Sequence, residues 1–261
     1  MLVVFLIFGA IAVSAVVMNI LLQSHQRYKL EELYSVELSS GQVAFIHLGY
    51  SSVILRTENF AIGIDIADLL DEAEVDNVVK LDLLIYTHVH GDHFNEALAR
   101  KIFEKTGCLI AAEHAVYEAL ADEIPVDKLV ELKGGISKYI DFQAGSIVIH
   151  PVYGVHPVQI VLFLLEVDGL KLFHGGDSGY SQSIKGLGHA DLAFLPTGDP
   201  SPTASPEDAA NMALDLTPKV IVLFHGSPEQ HSLFADEVKS KLAAEIIPAE
   251  TGKVYVREKT P

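Results

Sequence analysis

The chain has 261 residues, of which 49% are hydrophobic; this is enough for one sizeable globular domain and excludes a wholly disordered protein. Its 35 acidic and 18 basic residues give a formal net charge of −17, so the chain repels a phosphate backbone and we expect no nucleic acid among its partners. The single cysteine, Cys108, excludes an intramolecular disulfide and any metal site built from several cysteines, and we expect it in the core.

An apolar segment comes first in chain order. Residues 2–22 are apolar apart from one serine and one asparagine, and the first charged residue is Arg27. As a helix this segment rises about 31 Å at roughly 1.5 Å per residue, which is enough to cross the hydrocarbon core of a bilayer. The segment lacks the polar stripe of a helix packed in a protein core, which is the alternative. We therefore predict a transmembrane helix or signal anchor over residues 1–24 and a linker over residues 25–40.

The flanking residues indicate how such an anchor is oriented. Arg27 and Lys29 follow the apolar segment, and basic residues prefer the cytoplasmic side of a membrane. We therefore expect an uncleaved, single-pass N-terminal anchor with the following domain in the cytoplasm. Small residues at Ala10, Ala12 and Ala15 leave open a cleaved signal peptide and a secreted domain, although no basic residue precedes the apolar segment.

Strand and helix patterns alternate through residues 41–261, which we predict to be one domain. Strands are predicted at Val43–Ile46, Ser52–Arg56, Ala61–Ile66, Leu81–Thr87, Cys108–Ala112, Ile147–Val155, Ile160–Val167, Leu170–Phe173 and Val220–Phe224. Asp168 and Gly169 form a predicted hairpin turn. Helices are predicted over Asn95–Lys105 and from Pro206, which Ser205 caps, to Pro218. This order predicts two mixed sheets between layers of helices.

Four potential metal ligands follow a predicted strand within six residues: His88, His90, Asp92 and His93. In an extended stretch His88 and His90 project to the same side, so they can share one ion. Gly91 lets the chain turn sharply, after which Asp92 and His93 can face a second ion. Imidazole and carboxylate ligands without thiolate suit zinc and also tolerate manganese or iron. The sequence therefore predicts two divalent metal ions, with Zn²⁺ as the first choice.

The segment from His88 to His93 resembles the HxHxDH signature of the metallo-β-lactamase superfamily, whose fold is an αββα sandwich of the α/β class. Three later segments fit the same resemblance: Val152 to His156, Leu172 to Ser178 and Val220 to Gly226. It covers about residues 41–230. The resemblance implies a first metal site of His88, His90 and His156, and a second of Asp92, His93 and His225, with Asp177 bridging the two.

The resemblance implies a metal-dependent hydrolase. Two cations about 3.5–4 Å apart hold a hydroxide at neutral pH and polarise a carbonyl or phosphoryl oxygen. Asp92 is placed to orient this nucleophile or to pass a proton. We expect cleavage of a small ester, lactone or phosphodiester, or of a lipid-like substrate if residues 2–22 hold the domain at a bilayer. The alternative is a membrane-tethered metal-binding or sensor protein of the same fold with negligible turnover.

Within the superfamily, residues 48–53, 190–196 and 206–210 resemble the branch that contains ascorbate-6-phosphate lactonase and N-acylphosphatidylethanolamine phospholipase D. Tyr50 departs from the pattern, because many members have histidine at that position. His150 competes with His156 as the third ligand, but the family's ligand ends its strand, which favours His156. Further candidates near the metals or on the pocket wall are Asp65, His174, Tyr50 and His231.

Overall fold

Fourteen strands and six α-helices form the part of the chain that the computed structural model describes, residues 28–259. The strands are β1 (Gln42–Gly49), β2 (Ser52–Arg56), β3 (Ala61–Ile64), β4 (Leu83–Tyr86), β5 (Leu109–Ala112), β6 (Leu129–Glu131), β7 (Lys138–Phe142), β8 (Gly145–Tyr153), β9 (Val161–Val167), β10 (Leu170–His174), β11 (Leu192–Pro196), β12 (Val220–Phe224), β13 (Glu245–Pro248) and β14 (Val254–Glu258). The helices are α1 (Leu30–Ser35), α2 (Glu72–Asp76), α3 (Glu96–Thr106), α4 (His114–Leu120), α5 (Pro206–Leu216) and α6 (Pro228–Val238).

The strands form two mixed sheets of seven strands each, counted over residues 28–259, with the orders β14-β1-β2-β3-β4-β5-β6 and β13-β12-β11-β10-β9-β8-β7. In the first sheet β3 to β6 run parallel, and β1 shares their direction because both β1 and β3 are antiparallel to β2. In the second sheet β10 to β13 run parallel, and β8 shares their direction because both β8 and β10 are antiparallel to β9. We call the end of the sandwich where β1, β3, β4, β8, β10 and β12 terminate the carboxyl edge.

Three layers of apolar contacts hold the sandwich together. The central layer lies between the sheets and contains Phe45, Phe163 and Phe194. A second layer packs α1 to α4 on the outer face of the first sheet, and a third packs α5 and α6 on the outer face of the second sheet. The order helix, sheet, sheet, helix confirms the predicted αββα sandwich, and Cys108 is buried as predicted.

Several predicted elements have the predicted bounds. The strands at Ser52–Arg56 and Val220–Phe224 are confirmed, and Ser205 caps the helix that begins at Pro206. Asp168 and Gly169 both have positive φ, of 47° and 76°, as the predicted two-residue hairpin turn requires.

Three predicted strands end earlier than expected, and the one predicted over Leu81–Thr87 spans only Leu83–Tyr86. The strand predicted over Ala61–Ile66 stops at Ile64, because Asp65 adopts a left-handed backbone with φ of 48° and leaves the sheet. The strand predicted over Ile147–Val155 begins at Gly145 and stops at Tyr153. In all three cases the residues beyond the strand belong to loops at the carboxyl edge.

The structure describes part of the predicted linker and none of the predicted anchor. The structure describes residues 28–40 of the predicted linker, and α1 in this stretch buries Leu30 and Leu33 on one helical face against the first sheet. This part of the chain therefore packs on the domain rather than linking to it. The predicted apolar helix over residues 1–24 lies outside the described residues. Within residues 28–259, no helix is both long and apolar enough to cross a membrane.

Replacing Phe45 with alanine is expected to lower the free energy of unfolding by about 3–5 kcal/mol, because the cavity lies between the two sheets. The fully buried Phe45 ring packs edge-on against Phe194 at 5.2 Å and stacks on Tyr255 at 5.1 Å. Urea unfolding followed by circular dichroism measures this loss. The control is Val79→Ala at an exposed position, which is expected to change stability by about 0.5 kcal/mol or less. Equal losses in the two variants would contradict this description of the core.

Candidate metal centre

The buried carboxylate of Asp65 connects three strand ends at the carboxyl edge. It accepts hydrogen bonds from the Thr87 backbone N–H at 2.7 Å, from the Thr87 hydroxyl at 2.6 Å and from the Ser51 hydroxyl at 3.0 Å. Nδ1 of His93 lies 2.9 Å from the same carboxylate. Burial alone would raise the pKa of Asp65, but the hydrogen bond with His93 holds it below its usual value. The ionised carboxylate therefore fixes the loops after β1, β3 and β4 relative to one another.

Three imidazole nitrogens converge beside the ends of β4 and β8. Nδ1 of His90 lies 3.1 Å from Nε2 of His88 and 3.1 Å from Nε2 of His156. Two nitrogens that share one tetrahedral zinc ion, with bonds of about 2.0–2.1 Å, lie roughly 3.3 Å apart. The separations in this cluster fit that arrangement, so the three histidines could hold one cation.

The other ring nitrogens of His88 and His156 are hydrogen-bonded so that the converging nitrogens of these two residues keep their lone pairs. Nδ1 of His88 lies 3.1 Å from the Thr87 hydroxyl, which gives its own proton to Asp65 and therefore accepts one from His88. Nδ1 of His156 lies 3.2 Å from the carbonyl oxygen of Asp177, so His156 also carries its proton on Nδ1. Burial lowers the pKa of His88 to about 3, which keeps this ring neutral and able to bind a cation.

A second group of ligand atoms lies directly beside the first. Nε2 of His93 lies 3.2 Å from Oδ1 of Asp177, and Nε2 of His225 lies 2.5 Å from the same oxygen. All three atoms are buried, and none has an aligned hydrogen-bond partner within residues 28–259. A buried polar atom without a partner costs about 1–3 kcal/mol, so such atoms are uncommon in folded proteins. A cation bound by the carboxylate and both imidazoles would satisfy all three, so this donor set fits a metal ion.

The charges around this second group favour a cation. Burial alone would lower the pKa of His93, but the carboxylates of Asp177 and Asp65 raise it to about 10. Burial alone would raise the pKa of Asp177, but His225 and His93 hold it well below its usual range. Two buried carboxylates, Asp65 at Nδ1 and Asp177 at Nε2, therefore stabilise positive charge on the His93 ring. A divalent ion would supply that charge in place of the proton.

His225 is held by its backbone as well as by its position after β12. It adopts a left-handed conformation with φ of 48°, which turns its ring toward Asp177. Its carbonyl oxygen accepts hydrogen bonds from the Thr197 hydroxyl and from Nε2 of His231, both at 2.8 Å. The predicted pocket residue His231 therefore stabilises the His225 loop from α6.

Asp92 and Tyr50 lie at the mouth of the site. The Asp92 carboxylate is one-third exposed, and its Oδ2 lies 3.6 Å from Nε2 of His93. The Tyr50 side chain is on the rim, where its ring centroid lies 6.1 Å from that of His225. Both residues can therefore contact a molecule that approaches the metal ligands from solvent.

The structure places two other predicted histidines away from the converging atoms. His174 is buried between the rings of Phe163 and Phe224, and it donates from Nε2 to the Ser51 carbonyl oxygen at 3.0 Å while Nδ1 accepts from a backbone N–H. His174 therefore packs beneath the site and does not line the pocket. Nδ1 of His150 lies 2.8 Å from the Ser137 hydroxyl on the outer face of the second sheet, so His156 and not His150 joins the cluster.

Sequence reasoning missed three hydroxyl groups that orient the candidate ligands. Ser51 and Thr87 each follow a strand at the carboxyl edge, and that position could have revealed them. The Thr203 hydroxyl lies 3.1 Å from Nδ1 of His156, although the two residues are 47 positions apart in the chain. No local pattern around Thr203 indicates this contact.

Comparison with known proteins agrees with this fold. The family profile described as the beta-lactamase superfamily domain matches residues 44–225, which include all seven predicted ligands. A UPF0173 metal-dependent hydrolase of Thermus thermophilus is 31% identical over 188 residues, which cover 69% of this chain and 81% of that protein. The chain belongs to the metallo-β-lactamase superfamily and to its UPF0173 family.

Other members and a solved structure extend the same likeness. A UPF0173 metal-dependent hydrolase of Rubrobacter xylanophilus is 27% identical over 234 residues, covering 79% of this chain and 94% of that protein. The structure of Igni18, described as a metallo hydrolase from Ignicoccus hospitalis, superposes with a TM-score of 0.70 over 83% of this chain and 99% of that chain. At 22% identity this superposition shows a common fold.

Replacing Asp65 with asparagine is expected to weaken zinc binding about 10- to 100-fold, because the predicted ligands His88 and His93 lose the carboxylate that orients them. An amide nitrogen would also face the donor groups of Thr87 and Ser51. Competition with a chromophoric chelator measures the zinc affinity.

The matched control is Asp68→Asn, three residues further along at an exposed position. It is expected to keep the zinc affinity of the unchanged protein. If Asp65→Asn also binds zinc as tightly as the unchanged protein, the orienting role of the buried carboxylate is refuted.

Proposed function

We propose that this chain is a metal-dependent hydrolase with a dinuclear centre at the carboxyl edge. The observation that carries the proposal is the convergence of ligand atoms in two overlapping sets, each with its atoms within 4.8 Å of one another: His88, His90 and His156, and His88, His93 and Asp177. His88 belongs to both sets, so the two sets are neighbours. The curated relatives are named metal-dependent hydrolases, which supports the same class of reaction.

We assign seven residues to the two metal ions. The first ion would be held by His88, His90 and His156, and the second by Asp92, His93 and His225, with Asp177 between them. When bound, such a pair of divalent cations, Zn²⁺ or alternatively Mn²⁺ or iron, supplies a nucleophile from water at neutral pH and polarises the substrate oxygen. Asp177 suits the bridging position because its carboxylate lies within 4.8 Å of ligand atoms of both His88, assigned to the first ion, and His93, assigned to the second.

The protein's own side chains would then position the reactants and move protons. Asp92 is partly exposed beside His93, so its carboxylate can accept a proton from the attacking water and return it to the leaving group. Tyr50 lies on the rim near His225, where its hydroxyl can contact the substrate. His88 and His156 keep fixed tautomers through Thr87 and the Asp177 carbonyl, which holds their ligand atoms in place.

The loops around the site favour particular substrates. Residues 49–51, 87–93, 154–156, 175–177 and 225–226 contain no lysine or arginine. A phosphomonoester dianion is usually held by such cations, whereas an ester, a lactone or a phosphodiester carries at most one negative charge. The site therefore suits an ester, a lactone or a phosphodiester better than a phosphomonoester. The likeness of residues 48–53, 190–196 and 206–210 to the lactonase and phospholipase D branch points the same way.

The first test measures metal content by mass spectrometry together with hydrolysis of bis-(p-nitrophenyl) phosphate and of simple ester and lactone substrates. We expect about two zinc, manganese or iron ions per chain. His88→Ala and Asp177→Ala should each lose metal and turnover, because each removes a ligand atom from the centre of the cluster.

Asp122→Ala is the matched control, since Asp122 is an exposed aspartate away from the carboxyl edge. It should retain both metal and turnover. Folded, metal-supplemented protein that binds no metal would refute the hydrolase proposal, and a single ion per chain would refute the bridging role of Asp177.

A further inference from the structure

Exposed apolar side chains lie in and beside the loops of the carboxyl edge. Tyr50 lies in the turn between β1 and β2, and Val89 lies between two of the predicted ligands. Val155 directly precedes His156, and Ile136 lies in the turn that joins β6 to β7. The exposed fractions are 44% for Tyr50, 37% for Val89, 54% for Ile136, 43% for Tyr153 and 50% for Val155. All five positions are in or beside loops at the carboxyl edge, so this edge presents apolar groups around a polar centre.

The chain before the described residues joins the domain at this same edge. The Tyr28 hydroxyl donates to the carbonyl oxygen of Leu48 at 2.7 Å, and Leu48 is next to the last residue of β1. From there α1 leads away from the carboxyl edge. The carbonyl oxygens of Leu33 and Tyr34 in α1 accept hydrogen bonds from the Arg56 guanidinium. Arg56 is the last residue of β2, at the end of the sandwich opposite the carboxyl edge. Tyr28 therefore lies closer to the carboxyl edge than the end of α1 does.

This attachment limits where the apolar segment of residues 2–22 can be. Six peptide units separate residue 22 from Tyr28, and a fully extended chain spans at most about 3.3–3.6 Å per residue. The connection from Tyr28 to the apolar segment can therefore span at most roughly 20 Å. If this segment inserts into a bilayer, the membrane surface lies near the metal centre and not near the opposite end of the sandwich.

We propose that the carboxyl edge is a membrane-contact surface, with Tyr50, Val89, Ile136, Tyr153 and Val155 touching the bilayer and the metal centre opening toward the lipid interface. Two independent features support this orientation: the apolar side chains around the mouth and the attachment of the chain at Tyr28. The partner is a lipid surface, and molecules that reach the site would be amphiphiles that partition into it. This inference goes beyond the proposed hydrolysis and does not depend on turnover.

The charge of the chain indicates which lipid surface fits. A net charge of −17 repels anionic lipids, and the carboxyl edge carries the exposed Asp68 and partly exposed Asp92, whereas the Lys133 ammonium beside Ile136 is paired with Glu131 at 2.8 Å. The contact would therefore depend on apolar burial in the interface, which extends about 5–10 Å into the headgroup region. Zwitterionic phosphatidylcholine vesicles are the appropriate probe, and raising the salt concentration should not release the edge from them.

The sequence contains no tryptophan, so one introduced tryptophan reports on a single position. The test uses the full chain in phosphatidylcholine vesicles with and without bromine on the acyl chains, which quenches nearby tryptophan. Val155→Trp and Ile136→Trp each probe the carboxyl edge, so that one variant still reports on this edge if the other misfolds. Val126→Trp and Val79→Trp are matched controls, because both are exposed valines at the opposite end, before β6 and β4.

We expect bromolipid to quench most of the emission from Val155→Trp and Ile136→Trp, with a blue shift, and to leave Val126→Trp and Val79→Trp unchanged. Three results would overturn the proposal. In the first, the protein floats with the vesicles but bromolipid quenches none of the four tryptophans. In the second, bromolipid quenches the tryptophans at the opposite end of the sandwich, and in the third the protein does not float with the vesicles. Protein–protein contact at this edge would give the first of these results. Quenching requires neither metal nor hydrolysis, so failure of the hydrolase proposal would be seen separately in metal content.

Discussion

The buried carboxylate of Asp65 is the interaction on which the rest of the site depends. An ionised group inside a protein is stable only when hydrogen bonds replace the water that it loses. Asp65 obtains these bonds from Thr87, Ser51 and His93, which belong to the loops after β4 and β1. Because one carboxylate satisfies donors from separate strands, a shift of any one loop would leave a buried charge undersatisfied. This requirement makes the positions of the predicted ligands interdependent.

Strand direction explains why these loops meet. Six strands run in the same direction within their sheets and terminate at the carboxyl edge. The loops that follow these strands carry the candidate residues. The apolar layer between the sheets holds the two sets of strand ends face to face, which places His93 of the first sheet 3.2 Å from Asp177 of the second. The site is therefore a product of sheet packing, because neither sheet alone contains both groups. Core packing and site geometry are coupled for this reason.

The electrostatics of the two groups differ in a way that suits a pair of cations. In the first, burial keeps His88 neutral, and hydrogen bonds fix the tautomers of His88 and His156, so that their lone pairs are available. In the second, buried carboxylates raise the pKa of His93 and favour positive charge. Neutral donors and anionic donors thus lie side by side, beside the partly exposed carboxylate of Asp92 and the exposed side chain of Tyr50.

The sequence by itself determined the elements and ligands that depend on local patterns. Apolar runs identified β2 and β12, turn residues identified the hairpin at Asp168, and the spacing from His88 to His93 identified the ligand segment, since neighbours along a strand have fixed relative directions. Only the tertiary structure decided that His156 joins this segment while His150 faces Ser137, that His174 packs beneath the site, and that Thr203 holds His156. Short edge strands such as β13 and β14 were also beyond local patterns. These features arise from contacts between residues far apart in the chain, which form only when the two sheets pack against each other.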